Sequence, residues 1–565
     1  MYRNCVKFIW PTDHLDPNLS KIDSLATGVE HFLNSLFQAS DQDGWTFLLA
    51  GSLEEGIFDP GSDTDALAIF QTALSNHGNI PINGDVSQSC FLLSSTTVVL
   101  SAPKEDLVTG LPGVTFEVNF KQYAGQLNAS SDSYQHYYQY WLLASQNDPA
   151  KDPLLLWLQG GPGCSSIGGM LGEVGPFRVN PKGDTLFENV FAWNKGANLL
   201  HIESPNGVGF SFSVDGDDAT SDHQTAHDNY RALLDFFNKF PEYKTRDFYI
   251  SGESYAGVYI PMLTSLVVDG IKSGEFPGKL KGIAIGNGVL NDEDNQNSIV
   301  YLEYYRGMIS VDTWENLNQV CCGSKEIPCN WANSLWFNQT EKRWQSNGTP
   351  CGNARLINYD STDSVRGYYC AQGDKVANYL NYDNVKKALH VDKRIIERPW
   401  LDCNLDLNHF LYNRTEFDQL PALQHVLETN SDVRILIYNG DTDSAWNFLG
   451  DSWFARRVAD KAKLKKHGDR KTWQYRSQIA GYVEQYDRLD ILTVKGSGHF
   501  VPLDRAGPAL QMITNFIQNK DYSTAFKWST KLSALTADNG TTRIGLNKSL
   551  LLILVLFYTY GAGSK

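Results

Sequence analysis

One junction constrains this chain more than any other: Arg246-Asp-Phe-Tyr-Ile-Ser-Gly-Glu-Ser-Tyr-Ala-Gly-Val258. An apolar stretch of strand character at 248–250 runs into Gly252-Glu-Ser-Tyr-Ala256 and then into a helical pattern over 257–271. Small residues two before and two after Ser254 let the backbone double back sharply, which lifts the serine hydroxyl clear of the sheet. The G-x-S-x-A spacing alone is common by chance; the strand and helix on either side make Ser254 a candidate nucleophile. A serine hydroxyl is a poor nucleophile at neutral pH, so it needs a base to take its proton and an acid to orient that base.

Apolar runs at 154–158, 199–203, 248–250, 282–285 and 434–438 alternate with helical stretches, which predicts an α/β architecture with a mostly parallel sheet. Where a nucleophile sits on such a turn, the acid and then the histidine follow it in chain order. The turn Asn439-Gly-Asp-Thr-Asp443 delivers a carboxylate from a strand end, and the residues alone leave Asp441 and Asp443 equivalent. Two histidines lie beyond it. His467 sits in the charged stretch Lys463-Leu-Lys-Lys-His-Gly-Asp469, whereas His499 follows the apolar 491–494 in Lys495-Gly-Ser-Gly-His-Phe-Val-Pro502, a glycine-rich loop able to bring an imidazole over a serine. Trp157-Leu-Gln-Gly-Gly-Pro-Gly-Cys-Ser-Ser166 is a second glycine-rich loop after a strand, which makes the backbone N–H groups of Gly161 and Tyr255 the candidate oxyanion donors.

From about Leu107 to Phe516 the chain resembles the serine carboxypeptidases, the family of carboxypeptidase Y and lysosomal cathepsin A. The resemblance rests on Gly110-Leu-Pro-Gly113, Leu156-Trp-Leu-Gln-Gly-Gly-Pro-Gly-Cys-Ser-Ser166, Gly172-Glu-Val-Gly-Pro-Phe177, Glu203-Ser-Pro-Asn-Gly-Val-Gly-Phe-Ser211, Gly252-Glu-Ser-Tyr-Ala-Gly257, Gly286-Asn-Gly288, Gly440-Asp-Thr-Asp443 and Gly498-His-Phe-Val-Pro502, in family order. It implies an α/β-hydrolase fold with an inserted, disulfide-containing cap. It also implies Ser254 as nucleophile, Asp443 rather than Asp441 as the orienting acid, His499 as base, and the Gly161 and Tyr255 N–H groups as oxyanion hole. Trp157, Gln159, Gly160, Glu173 and Glu253 match the positions that hold the free C-terminal carboxylate of a peptide substrate, and Cys164 matches a partner of Cys403. The implied reaction is hydrolysis of the C-terminal peptide bond through an acyl-enzyme, with no cofactor. Two close carboxyls such as Glu173 and Glu253 cannot both ionise cheaply, so one proton is shared and activity is expected to be best in acid. The chain departs from the family pattern at Gln159 (usually Asn), Asn206 (usually Ala) and Phe500 (often Met). An esterase or acyltransferase with the same triad, and a non-catalytic protein that shields a partner, are the competing readings.

The family cap corresponds to 295–381, between core segments 103–294 and 382–520. Of nine cysteines, 321, 322, 329, 351 and 370 crowd into that insertion and suggest a local staple; no zinc-like spacing occurs, and no metal is expected. With Asn-x-Ser/Thr acceptors at Asn128, Asn338, Asn347 and Asn413 among others, they favour the secretory pathway, lysosomal or extracellular. A net charge of −16 disfavours nucleic acid as a partner; peptide substrates and a homodimer are the expected partners. Residues 1–88 read as an added or fused extension. Within 89–102, the apolar 91–100 followed by Ser101-Ala102 reads either as a signal-like segment or as a buried strand. In the tail, 521–565, the eleven-residue run 550–560 would reach only about 16 Å as a helix, against a hydrocarbon layer of ~30 Å. With small residues at Ala537, Asn539 and Gly540 it has the layout of a lipid-anchor signal; a loosely membrane-associated tail and a tail peculiar to this sequence are the other readings.

Overall fold

The computed structural model describes residues 102–312, 314, 315, 318 and 373–533. The chain divides into two units, 1–104 and 105–565, and the second carries the elements discussed below. Its sheet strands are β1 (Gln122–Asn128), β2 (His136–Leu143), β3 (Leu154–Leu158), β4 (Asn198–Ile202), β5 (Asp247–Glu253), β6 (Lys279–Gly286), β7 (Arg434–Gly440), β8 (Lys471–Tyr475), β9 (Gln478–Tyr486) and β10 (Leu489–Val494). They lie in the order β1-β2-β4-β3-β5-β6-β7-β10-β9-β8, and Phe212–Ser213 adds an eleventh strand beside β2. The six central strands, β4 to β10 along that order, are mutually parallel. The sequence explains why: β3 and β4 are buried at every residue, and β7 at all but its first, as strands covered on both faces must be. The flanking pairs are antiparallel hairpins, and β8 and β9 alternate exposed with buried positions because one face meets water.

Helices α1 (Asp222–Lys239), α2 (Ala256–Ser273), α3 (Asp292–Tyr305), α4 (Gly373–Leu380), α5 (Leu420–Thr429), α6 (Phe448–Lys461) and α7 (Ala506–Ile517) surround the sheet. On one side a continuous core joins Trp141, Leu155, Trp157 and Leu436 of the strands to Met512 and Phe516 of α7. Helix α2 starts directly from the turn after β5 and ends at Gly274, whose φ of +83° provides the left-handed stop that a side chain would disfavour. Helix α3 runs across the expected 294/295 boundary of the cap. It is tied to α6 by Arg457 Nη1 on Asp294 Oδ1 at 2.6 Å and by Asn447 Nδ2 on Asn295 Oδ1 at 3.1 Å. The segment 91–100, the tail run 550–560, Asn338, Asn347 and the seven cysteines other than 164 and 403 lie outside the described residues. Among the described residues no helix is long and apolar enough to cross a membrane, and no His/Cys/Asp/Glu group could hold a metal.

This topology sets the site. Ser254 immediately follows β5, Gln159 follows β3, Asn287 follows β6, Asp443 lies three residues beyond β7 and His499 five beyond β10. All five strands are parallel, so these residues collect at the carboxyl edge of one sheet, where open α/β sheets bind ligands.

Candidate active site

The turn after β5 is built as the glycines require. Ser254 holds a φ of +60°, the left-handed region that a non-glycine residue rarely adopts. It is pinned there by Ser254 N donating to Gly286 O at 3.0 Å, while its carbonyl accepts from Gly257 N and Val289 N at 2.9 Å each. A Cβ on Gly252 would sit 2.9 Å from Ala256 Cβ and closer still to Leu158 O, so position 252 has no room for a side chain. Gly257 is equally constrained, since its Cβ would lie 2.5 Å from Val289 N.

His499 Nδ1 lies 2.7 Å from Asp443 Oδ2, the distance of a charge-assisted hydrogen bond. Asp443 is buried and His499 is partly open to the cleft. Asn287 Nδ2 donates to the same Asp443 oxygen at 2.8 Å, and Asn287 Oδ1 accepts from Gly440 N at 3.0 Å, which fixes the carboxylate against the end of β7. The other candidates have different work. Asp441 Oδ1 accepts from Gly496 N at 2.7 Å and so staples the histidine loop, helped by Gly498 N donating to Asp504 Oδ2 at 2.7 Å. His467 pairs with Asp487 at 2.6 Å on an exposed hairpin, away from the strand ends that carry the site. Among the described residues Ser254 Oγ has no hydrogen bond to His499; such contacts are commonly long before substrate tightens the site.

The glycine-rich loop abuts the serine. A Cβ on Gly160 would fall 2.7 Å from both Ser254 Cβ and Glu253 O, and closer still to Tyr255 N. Only glycine at 160 leaves the Tyr255 N–H accessible. Gly161 and Gly163 turn the loop with φ of +115° and +97°. The Cys164–Cys403 disulfide is present and fastens this loop to a distant segment. Asn404 N donates to Gly163 O at 2.8 Å and Asn408 Nδ2 to Pro162 O at 2.8 Å on the same segment.

Beside the serine lies a buried carboxyl pair. Gln159 Nε2 donates to Glu253 Oε1 at 2.8 Å and to Glu173 Oε1 at 3.2 Å, while Trp157 Nε1 donates to Gln159 Oε1 at 2.9 Å. The remaining oxygens, Glu173 Oε2 and Glu253 Oε2, are buried without a donor. The two carboxyls are within hydrogen-bonding reach of each other, so one proton held between them satisfies both. Burial pushes both groups up from the usual carboxyl range. The Glu173 charge pushes Glu253 further, while the hydrogen bond from Glu253 steadies ionised Glu173. Gly169 makes room for this bridge, since its Cβ would lie 2.7 Å from Trp157 Nε1 and 3.1 Å from Gln159 Cδ. The longer amide at 159 thus reaches both acids, and the extra methylene relative to asparagine is absorbed by the glycine opposite.

Of the other two departures, Asn206 is buried and donates through Nδ2 to Asp217 O at 3.1 Å, while its Oδ1 is buried without a hydrogen-bond partner. The Phe500 ring meets the His499 imidazole edge-on, with centroids 5.2 Å apart. Asn287 carries no sequence signal of its role beyond its place within Gly286-Asn-Gly288, and neither does Asp504, whose carboxylate accepts from Gly498 N six residues earlier.

The profile described as serine carboxypeptidase matches residues 112–519. The serine carboxypeptidase ctsa-4.1 of Caenorhabditis elegans is 37% identical over 468 residues, covering 76% of this chain and 97% of the relative. The lysosomal protective protein of Mus musculus is 36% identical over 481 residues, covering 76% and 97%. In fold, the crystal structure of Kex1(delta)p, a prohormone-processing carboxypeptidase from Saccharomyces cerevisiae, superposes with a TM-score of 0.56 at 24% identity, over 72% of this chain and 94% of that one. The chain therefore belongs to the serine carboxypeptidase family of α/β-hydrolase enzymes.

Proposed function

We propose that this hydrolase removes the C-terminal residue of peptides with Ser254 as nucleophile, His499 as general base and acid, and Asp443 as the group that orients the imidazole. His499 takes the Ser254 proton as Oγ attacks the last peptide carbonyl. The oxyanion is met by the N–H groups of Gly161 and Tyr255, His499 then protonates the leaving amino acid, and water releases the acyl-enzyme by the reverse sequence. Asp443 keeps Nδ1 protonated so that Nε2 is free to accept. The observation that carries the specificity is the buried Glu173–Glu253 pair directly beside Ser254, bridged by Gln159 at 2.8 and 3.2 Å. A protonated carboxyl there can donate to a substrate carboxylate, and Trp157 and Gly160 complete that end of the site. The pair loses its proton as pH rises, so the reaction is favoured in acid.

The Cys164–Cys403 bond calls for an oxidising compartment. Asn128 and Asn413 are exposed and able to carry glycans. With the mouse relative's lysosomal name, these support passage through the secretory pathway to the lysosome or the exterior. Labelling by a fluorophosphonate, together with hydrolysis of a blocked dipeptide, tests the reading. The wild-type protein should label and release the terminal amino acid, and Ser254→Ala should do neither. Undiminished labelling of Ser254→Ala would refute it.

A further inference from the structure

The two oxyanion donors lie on separate pieces of chain, the Tyr255 N–H at the start of α2 and the Gly161 N–H on the loop after β3. Something must hold their spacing. Tyr255 is buried, and its hydroxyl donates to Asp222 Oδ1 at 2.8 Å. Asp222 is itself buried, at the first turn of α1, and its carboxylate is crowded with donors from another segment. Tyr412 OH reaches Oδ1 at 2.9 Å, Thr415 N reaches Oδ2 at 2.6 Å and Glu416 N reaches Oδ2 at 3.0 Å. The Arg414 guanidinium packs over the Tyr255 ring, 5.0 Å from its centroid, and the Tyr412 ring meets Tyr255 edge-on at 5.6 Å. The segment 403–416 that supplies these donors is the one fastened to the glycine-rich loop, through Cys403 to Cys164, Asn404 N to Gly163 O and Asn408 Nδ2 to Pro162 O. One carboxylate therefore joins both walls of the hole, one arm running through the Tyr255 ring and the other through 403–416 to Gly161.

We infer that Asp222 is a positioning residue that sets the geometry of the oxyanion hole by bridging the Tyr255 side chain to the segment clamped on the Gly161 loop. The inference rests on the proposed roles of Ser254, Gly161 and Tyr255. Asp222 touches neither substrate nor reacting atoms. Its effect belongs to the transition state, where the oxyanion forms, and not to the carboxylate end of the substrate, which is held by Glu173, Glu253 and Gln159. A loosened donor should therefore lower kcat and leave KM nearly unchanged.

The decisive variant is Tyr255→Phe, which deletes one oxygen and keeps the backbone donor, the ring packing and the Thr415 and Glu416 bonds to Asp222. We expect kcat for a blocked dipeptide to fall roughly tenfold, below the ~100-fold or more for outright removal of such a donor. KM should stay within about twofold, and affinity for a peptide aldehyde, whose adduct carries the oxyanion, should fall by the same factor as kcat/KM. Asp222→Ala should show the same split with a larger fall; where it fails to fold, Tyr255→Phe still decides. A KM that rises with kcat unchanged, or aldehyde affinity unchanged in Tyr255→Phe, would overturn the inference and leave the catalytic reading standing. A wild-type protein that folds yet hydrolyses nothing would overturn both.

Discussion

At the scale of single residues, two aspartates that lie two apart in one turn hold different partners: Asp443 faces the imidazole at 2.7 Å, and Asp441 holds the N–H of Gly496. Asp443→Asn should therefore lower kcat roughly 10⁴-fold by presenting the wrong histidine tautomer, whereas Asp441→Asn, which only slackens the loop, should stay within about tenfold. Steady-state kinetics on the two variants measures the contrast, and equal losses would reverse the assignment. Ser254 and His499, the proposed nucleophile and base, stand out in the sequence by the glycine spacing around them. Asn287 and Asp504 do not, because a residue that supports a catalytic group carries no spacing signal of its own.

At the scale of elements, the parallel strands were legible because doubly buried strands are written as unbroken apolar runs. The antiparallel strands β1, β2, β8 and β9 escaped notice. His136, Gln139 and the alternating Lys471–Tyr475 interrupt their runs, and their burial comes from contacts that local sequence does not encode. The β5–α2 turn carries its own energetic signature. Ser254 sits at φ +60°, and relieving that conformation should stabilise the fold. Ser254→Gly should exceed Ser254→Ala in unfolding free energy by about 1 kcal/mol, since both lack the hydroxyl and only glycine accepts a left-handed backbone at no steric expense. Denaturant titration of the two inactive variants reads this difference, and a more stable alanine variant would argue against strain at the turn.

At the scale of the whole molecule, several carboxyls are buried with raised affinity for protons. Burial pushes Glu203 up to about 7 and Asp451 up to about 8, and it raises Glu173 and Glu253 as well. Between the ordinary carboxyl range near ~4 and these values the folded protein binds more protons than the unfolded chain. The stability these groups confer is thus complete in acid and is lost as pH rises through about 7 to 8. Glu484, held down at about 2 by Arg456, Tyr486 and Lys466 despite its burial, acts oppositely and weakens the fold only in strong acid. Thermal melts should accordingly give a higher Tm near pH 5 than near pH 8.5, and a Tm that climbs across that interval would contradict it. The proposed catalysis is expected to follow the same logic. The most direct measurement is the pH dependence of kcat/KM for a blocked dipeptide and its C-terminal amide, in wild-type protein and Glu253→Gln. The free acid should be strongly preferred in acid, its advantage should vanish as the Glu173–Glu253 pair ionises, and Glu253→Gln should flatten that decline. A profile for the free acid that peaks above about pH 8, or an amide cleaved as well as the acid at low pH, would contradict the account.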